Sequence, residues 1–135
     1  MQEFILKESE LFKLCEALDL AKNPGIYLLS GNLASGKTTL IQEFVKALGE
    51  NCAVTSPTYL LSQCYGDRIF HYDIYQKSLQ ELLELGFLEE LEKSGWHFIE
   101  WGDENLAKIL REVGLSFKSI FISLEKNARK YSIKG

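Results

Sequence analysis

At 135 residues the chain can bury one substantial core and is too short for two. Its 46% hydrophobic and 25% charged residues are ordinary for a soluble globular protein, and no apolar run approaches the roughly 20 residues that span a bilayer. A net charge of −4, with arginines only at the scattered positions Arg68, Arg111 and Arg129, argues against a direct grip on DNA or RNA, which needs clustered cations.

The opening Met-Gln-Glu-Phe lacks the basic-then-apolar pattern of a signal peptide, so a cytoplasmic protein of one domain, residues 1–135, is expected. Cys15, Cys52 and Cys64 form no C-x-x-C pair and read as reduced thiols packed as small hydrophobes. His71 and His97 are too isolated to propose a zinc site.

In chain order, a short strand is predicted over 3–7. Ser9 is a plausible N-cap for a helix whose inner face is Leu11, Leu14, Cys15 and Leu18. Asn23-Pro24-Gly25 ends that segment and launches an apolar strand over 25–30. Gly31-Asn32-Leu33-Ala34-Ser35-Gly36-Lys37-Thr38 then matches the full phosphate-binding G-x-x-x-x-G-K-T loop. Its glycines allow backbone N–H groups to converge on phosphate oxygens, Lys37 can reach the β/γ-phosphates, and the Thr38 hydroxyl can ligate Mg²⁺. An amphipathic helix over 39–48, stopped by Gly49, completes an anion site at its N-terminus. A nucleoside triphosphate is the expected ligand.

Thr55-Ser56-Pro57-Thr58-Tyr59 follows where P-loop proteins commonly place a switch loop, and its hydroxyls could sense the γ-phosphate through Mg²⁺. Strand-like runs over 59–65 and 68–75 flank Gly66-Asp67, a two-residue hairpin signal that demands antiparallel pairing. Alternation puts His71, Asp73 and Tyr75 on one face of the second strand. His71 reads there as a structural residue. A helical run over 79–92 is interrupted at Gly86, and an apolar strand over 96–101 delivers Glu100 at its end. A helix over 103–113, closed by Gly114, precedes two last strands over 115–124 and 129–133. The fold class is therefore an α/β three-layer, P-loop NTPase-like domain with a mixed parallel and antiparallel sheet. Such a site needs a carboxylate to hold the Mg²⁺ shell or to position the attacking water. Glu100 and Asp73 are the two candidates, and Trp101 serves equally well as core or as a stacking surface.

Four blocks in this order closely resemble the TsaE (YjeE) family, bacterial ATPases of tRNA threonylcarbamoyladenosine synthesis. They are the loop over 31–39, Ser56-Pro57-Thr58-Tyr59, His71-Tyr72-Asp73-Ile74-Tyr75 and Ile99-Glu100-Trp101, with a weaker echo in Glu84-Leu85-Gly86-Phe87. The resemblance implies an ATPase, slow alone, that binds ATP through Gly31, Asn32, Leu33, Ala34, Ser35, Gly36, Lys37, Thr38 and Thr39. It implies that Thr38 and Glu100 hold Mg²⁺, that Asp73 positions water alongside Lys37 in catalysis, that Thr58 belongs to a switch, and that Trp101 lies beside the site. It also implies a TsaB–TsaD complex as partner, with tRNA held mainly by that pair. This chain departs from the family pattern at Asn32, Ala34, Gln76 and Gly102, where Asp, Gly, Arg and Pro are usual. A small-molecule or nucleoside kinase, and a nucleotide-gated assembly module with incidental hydrolysis, are the rival readings.

Overall fold

In a computed structural model, residues 2–32, 36–50, 53–54 and 63–135 are described. They build one eight-stranded sheet in the order β1-β8-β7-β2-β6-β5-β4-β3. Its centre is parallel: β2 (Gly25–Ser30) lies between β6 (Trp96–Glu100) and β7 (Phe117–Glu125), and β5 (Ile69–Asp73) runs parallel to β6. Both wings are antiparallel. β1 (Gln2–Leu6) and β7 flank β8 (Ala128–Lys134), while β4 (Gln63–Tyr65) joins β5 to β3 (Ala53–Val54). The mixed sheet expected from the sequence is what forms.

Helices cover both faces. α1 (Phe12–Leu18) and α2 (Lys37–Ala47) bury Leu14, Leu18, Leu40, Ile41, Phe44 and Val45 against Tyr27, Leu29 and Phe98. α3 (Leu79–Glu84), α4 (Phe87–Leu91) and α5 (Glu104–Glu112) cover the opposite face, where Leu82, Phe87 and Leu110 meet Leu28, Tyr72 and Ile99. The strands supply both sets because successive side chains alternate between faces, giving Tyr27 and Leu29 to one core and Ile26 and Leu28 to the other. Cys15 packs in the first core, as a small hydrophobe should.

Helix ends follow local chemistry. Asp103 accepts from the Leu106 N–H at 3.0 Å and caps α5, and Ser78 accepts from the Glu81 N–H at 3.1 Å to cap α3. Gly49, at φ 86°, ends α2 with bonds from Gly49 N–H to the Lys46 carbonyl and from Glu50 N–H to the Val45 carbonyl.

Several expectations are corrected. Ser9 caps no helix: it lies in a 3-10 turn over Glu8–Glu10, where the Glu10 carboxylate accepts from the Lys7 N–H, and α1 starts later. The β4–β5 connection is three residues, with Tyr65 opposite Ile69. Gly66 turns left-handed at φ 62°, and Arg68 leaves the ladder because its carbonyl accepts from the Trp96 N–H at 2.8 Å. Trp101 is outside β6, at φ 69°. The short strand β3 carries no recognisable sequence pattern. Among the described residues no helix is long and apolar enough to cross a membrane.

Candidate functional site at the P-loop

The site forms where β2 hands over to α2. Gly31 leaves β2 at φ 144° and Gly36 enters α2 at φ 97° as its N-cap. Its left-handed φ favours glycine at position 36, and a Cβ there would also press on Arg129, 3.1 Å from Nε. The first turn, Lys37-Thr38-Thr39, presents backbone N–H groups and the positive end of an eleven-residue helix to the cleft. Leu33, Ala34 and Ser35 of the loop lie outside the described residues, as do Ser56, Pro57, Thr58 and Tyr59.

Parallel pairing sets Asp73 opposite Glu100 and Glu100 opposite Leu29, so both carboxylates share the face covered by α2. Glu100 is buried. Its Oε1 accepts from Thr38 Oγ1 at 2.8 Å, and its Oε2 lies 2.6 Å from His71 Nε2. Burial alone would raise its pKa, but the bonds from His71 and Thr38, with Lys37 nearby, hold it below the usual carboxylate range. A carboxylate in that state accepts, so His71 Nε2 donates. Asp73 is exposed, and its Oδ1 accepts from the Tyr75 N–H at 3.1 Å.

Lys37 is buried and folded back. Its Nζ donates to the carbonyls of Gly31 at 3.1 Å and Asn32 at 2.8 Å, and lies 3.8 Å from the centre of the Trp101 ring. Burial lowers its pKa, opposed by Glu100 and Asp73. Trp101 in turn stacks on Tyr75, with ring centres 4.6 Å apart at 22°. Trp101 holds an unfavourable backbone conformation for a bulky residue because two N–H groups, its own and that of Gly102, both turn to the Leu29 carbonyl, at 2.8 and 3.2 Å. Gly102 is needed in that turn: a proline has no N–H to give, and a Cβ would come within 2.9 Å of Leu28 Cβ.

These groups line a cavity of about 410 Å³ bounded by Gly36, Lys37, Thr38, Thr39, Asp73, Glu100, Trp101 and Arg129. Among the described residues three larger hollows, about 730, 680 and 480 Å³, are also present, the second sharing Trp101 and the third Arg129 with this cavity. Size does not select the site; the convergence of cations, carboxylates and a helix N-terminus does. Arg129 is the member that sequence reading missed, having counted the arginines as scattered. It is the second residue of β8, and β7 runs parallel to β2, so the β7–β8 turn returns the chain to the P-loop end of the sheet. Its Nε is buried without a hydrogen-bond partner among the described residues. Only the strand order could have revealed it.

A glycine loop between a central parallel strand and a helix, with a carboxylate at the end of the neighbouring strand, defines a P-loop NTPase-like α/β protein. The crystal structure of Bacillus subtilis YdiB has the same fold, with a TM-score of 0.66 over 98% of this chain and 83% of that one at 21% identity. The family model described as "Threonylcarbamoyl adenosine biosynthesis protein TsaE" matches residues 5–131, and the chain belongs to the TsaE family. Relatives described as "tRNA threonylcarbamoyladenosine biosynthesis protein TsaE" include one from Rickettsia conorii, 38% identical over 93% of this chain and 73% of its own. Another, from Rickettsia typhi, is 38% identical over 95% of this chain and 89% of its own.

Proposed function

We propose that the chain binds Mg²⁺·ATP in this cleft and hydrolyses it in the cytoplasm to support tRNA threonylcarbamoyladenosine synthesis. The observation that carries the reading is the 2.8 Å bond between Thr38 Oγ1 and Glu100 Oε1, beside Lys37 at the head of α2. It brings a P-loop hydroxyl and a strand-end carboxylate to one point. Both are hard oxygen donors, which suits Mg²⁺, an ion that takes one or two protein ligands and completes its shell with phosphates and water. When bound there, the ion would neutralise charge on the β- and γ-phosphates.

The chain's own residues supply the rest. Lys37 exchanges the carbonyls of Gly31 and Asn32 for phosphate oxygens, while the N–H groups of Gly36 to Thr39 cradle them. Arg129, which lines the same cavity beside Gly36, adds a second cation. Asp73, exposed on the cavity wall, is free to orient an attacking water. The relatives' names support the pathway, and the net charge of −4 supports a division of labour in which TsaB–TsaD-type partners hold the tRNA.

ATP turnover measured across a titration of the TsaB–TsaD pair tests the reading. Slow hydrolysis alone, stimulation by the pair and its abolition in Lys37→Ala are expected. Stimulated turnover that is unchanged in Lys37→Ala would overturn it.

A further inference from the structure

We infer that His71 is a positioning residue for Glu100, holding one carboxylate oxygen so that the other stays aligned with Thr38 for a divalent cation. The inference rests on the proposed Mg²⁺·nucleotide reading of the cleft and assigns the part of His71 within it.

His71 and Asp73 occupy the same face of β5, two residues apart, and Glu100 stands opposite Asp73 on β6. The Glu100 side chain therefore has neighbours in two directions. Thr38 meets Oε1 from the helix, and His71 meets Oε2 from the adjacent strand at 2.6 Å. Both His71 and Glu100 are almost fully excluded from solvent, at 5% and 6% exposure. A carboxylate at that depth needs a donor for each oxygen, or the unsatisfied one costs free energy.

Residue type supports the same conclusion. Ile69, two residues earlier on this face, is core. At 71 an imidazole is buried instead, with its Nδ1 lacking any partner among the described residues. Among the described residues the ring's one hydrogen bond is the short one from Nε2 to Glu100. Packing alone gives no reason for this, whereas steering a metal-binding carboxylate does. Removing partners of this kind characteristically weakens metal binding by about 10–100-fold. Thr38 cannot do the job alone, because its hydroxyl oxygen is itself offered to the cation.

Two substitutions separate positioning from filling. The amide nitrogen of His71→Gln reaches the place of Nε2, whereas that of His71→Asn falls at the place of Nδ1 and stops short of Glu100. ADP affinity of the full chain is measured by calorimetry in MgCl₂ and in EDTA, with thermal melting of the nucleotide-free proteins alongside. In the wild type Mg²⁺ should strengthen ADP binding. His71→Asn should lose about tenfold or more of that enhancement, with its EDTA affinity within about twofold of wild type, and His71→Gln should keep most of it. Equal enhancement in all three proteins, or equal loss in both variants, would overturn the positioning role while leaving the cleft assignment intact. Absence of Mg²⁺-dependent ADP binding in the wild type would instead remove the reading on which the inference rests. If His71→Asn does not fold, imidazole ¹⁵N spectra of the wild type decide. A proton on Nε2 supports the bond to Glu100, and an Nε2 without one overturns it.

Discussion

Glu100 and Asp73 face each other across two parallel strands yet live in different surroundings, and those surroundings divide their chemistry. Glu100 is buried, doubly hydrogen-bonded and held ionised, which suits a fixed ligand. Asp73 is exposed and, among the described residues, accepts one hydrogen bond, from the Tyr75 N–H in its own turn, which suits an oxygen offered to water. Glu100→Gln should weaken Mg²⁺-dependent nucleotide binding by about tenfold or more, because a hard cation prefers a carboxylate. Asp73→Asn should leave affinity nearly unchanged and slow turnover by about 10²-fold. Calorimetry and single-turnover hydrolysis check the pair, and the opposite pattern would exchange the two roles. Lys37, Thr38, Glu100 and Asp73 stand out in the sequence as candidates because they sit in local strand and loop motifs, and the fold brings them to one cavity. The bond between His71 and Glu100 was not, because it joins positions 29 residues apart through a register that only folding reveals.

The turn at Trp101 and Gly102 shows where element-level reading stops. Apolar alternation and glycine stops located the central strands and most helices, and Gly86 was rightly read as an interruption, at φ 81° between α3 and α4. The end of β6 was misplaced by one residue, since a tryptophan after an apolar run reads as more strand. The backbone instead turns there to give two N–H groups to the Leu29 carbonyl, and the ring swings over Lys37. Gly102→Pro should destabilise the fold by about 1–3 kcal/mol, through a lost N–H bond and contact with Leu28. A urea midpoint equal to that of the wild type would refute that view of the turn.

At the scale of the molecule, strand order does what motifs cannot. It carries Arg129, on a terminal hairpin, to a loop almost a hundred residues earlier, and it buries His97 between Tyr72 and the Lys93 carbonyl. The Lys93 carbonyl can only accept, so His97 Nε2 carries the proton and Nδ1 accepts from Tyr72 Oη. Burial lowers the pKa of His97, so the folded state prefers the neutral ring. Its contribution to stability is complete above the unfolded value of about 6.5 and is lost as pH falls from there through the folded pKa. Urea unfolding between pH 7.5 and 5 should show this decline, at up to about 1.4 kcal/mol per pH unit, and His97→Leu should flatten it. An unchanged slope would exclude His97 as its source. Cys15, pushed up to about 11 by burial and by Glu43, should resist alkylation at pH 8 until the protein unfolds. The cleft itself is tested most directly by calorimetric titration of ATP into the full chain in MgCl₂. Saturable binding near one equivalent is expected, weakened about 30-fold or more in Lys37→Ala, as when a desolvated charge contact is removed. Absence of binding in the wild type, or equal affinity in both proteins, would contradict a nucleotide site at the head of α2.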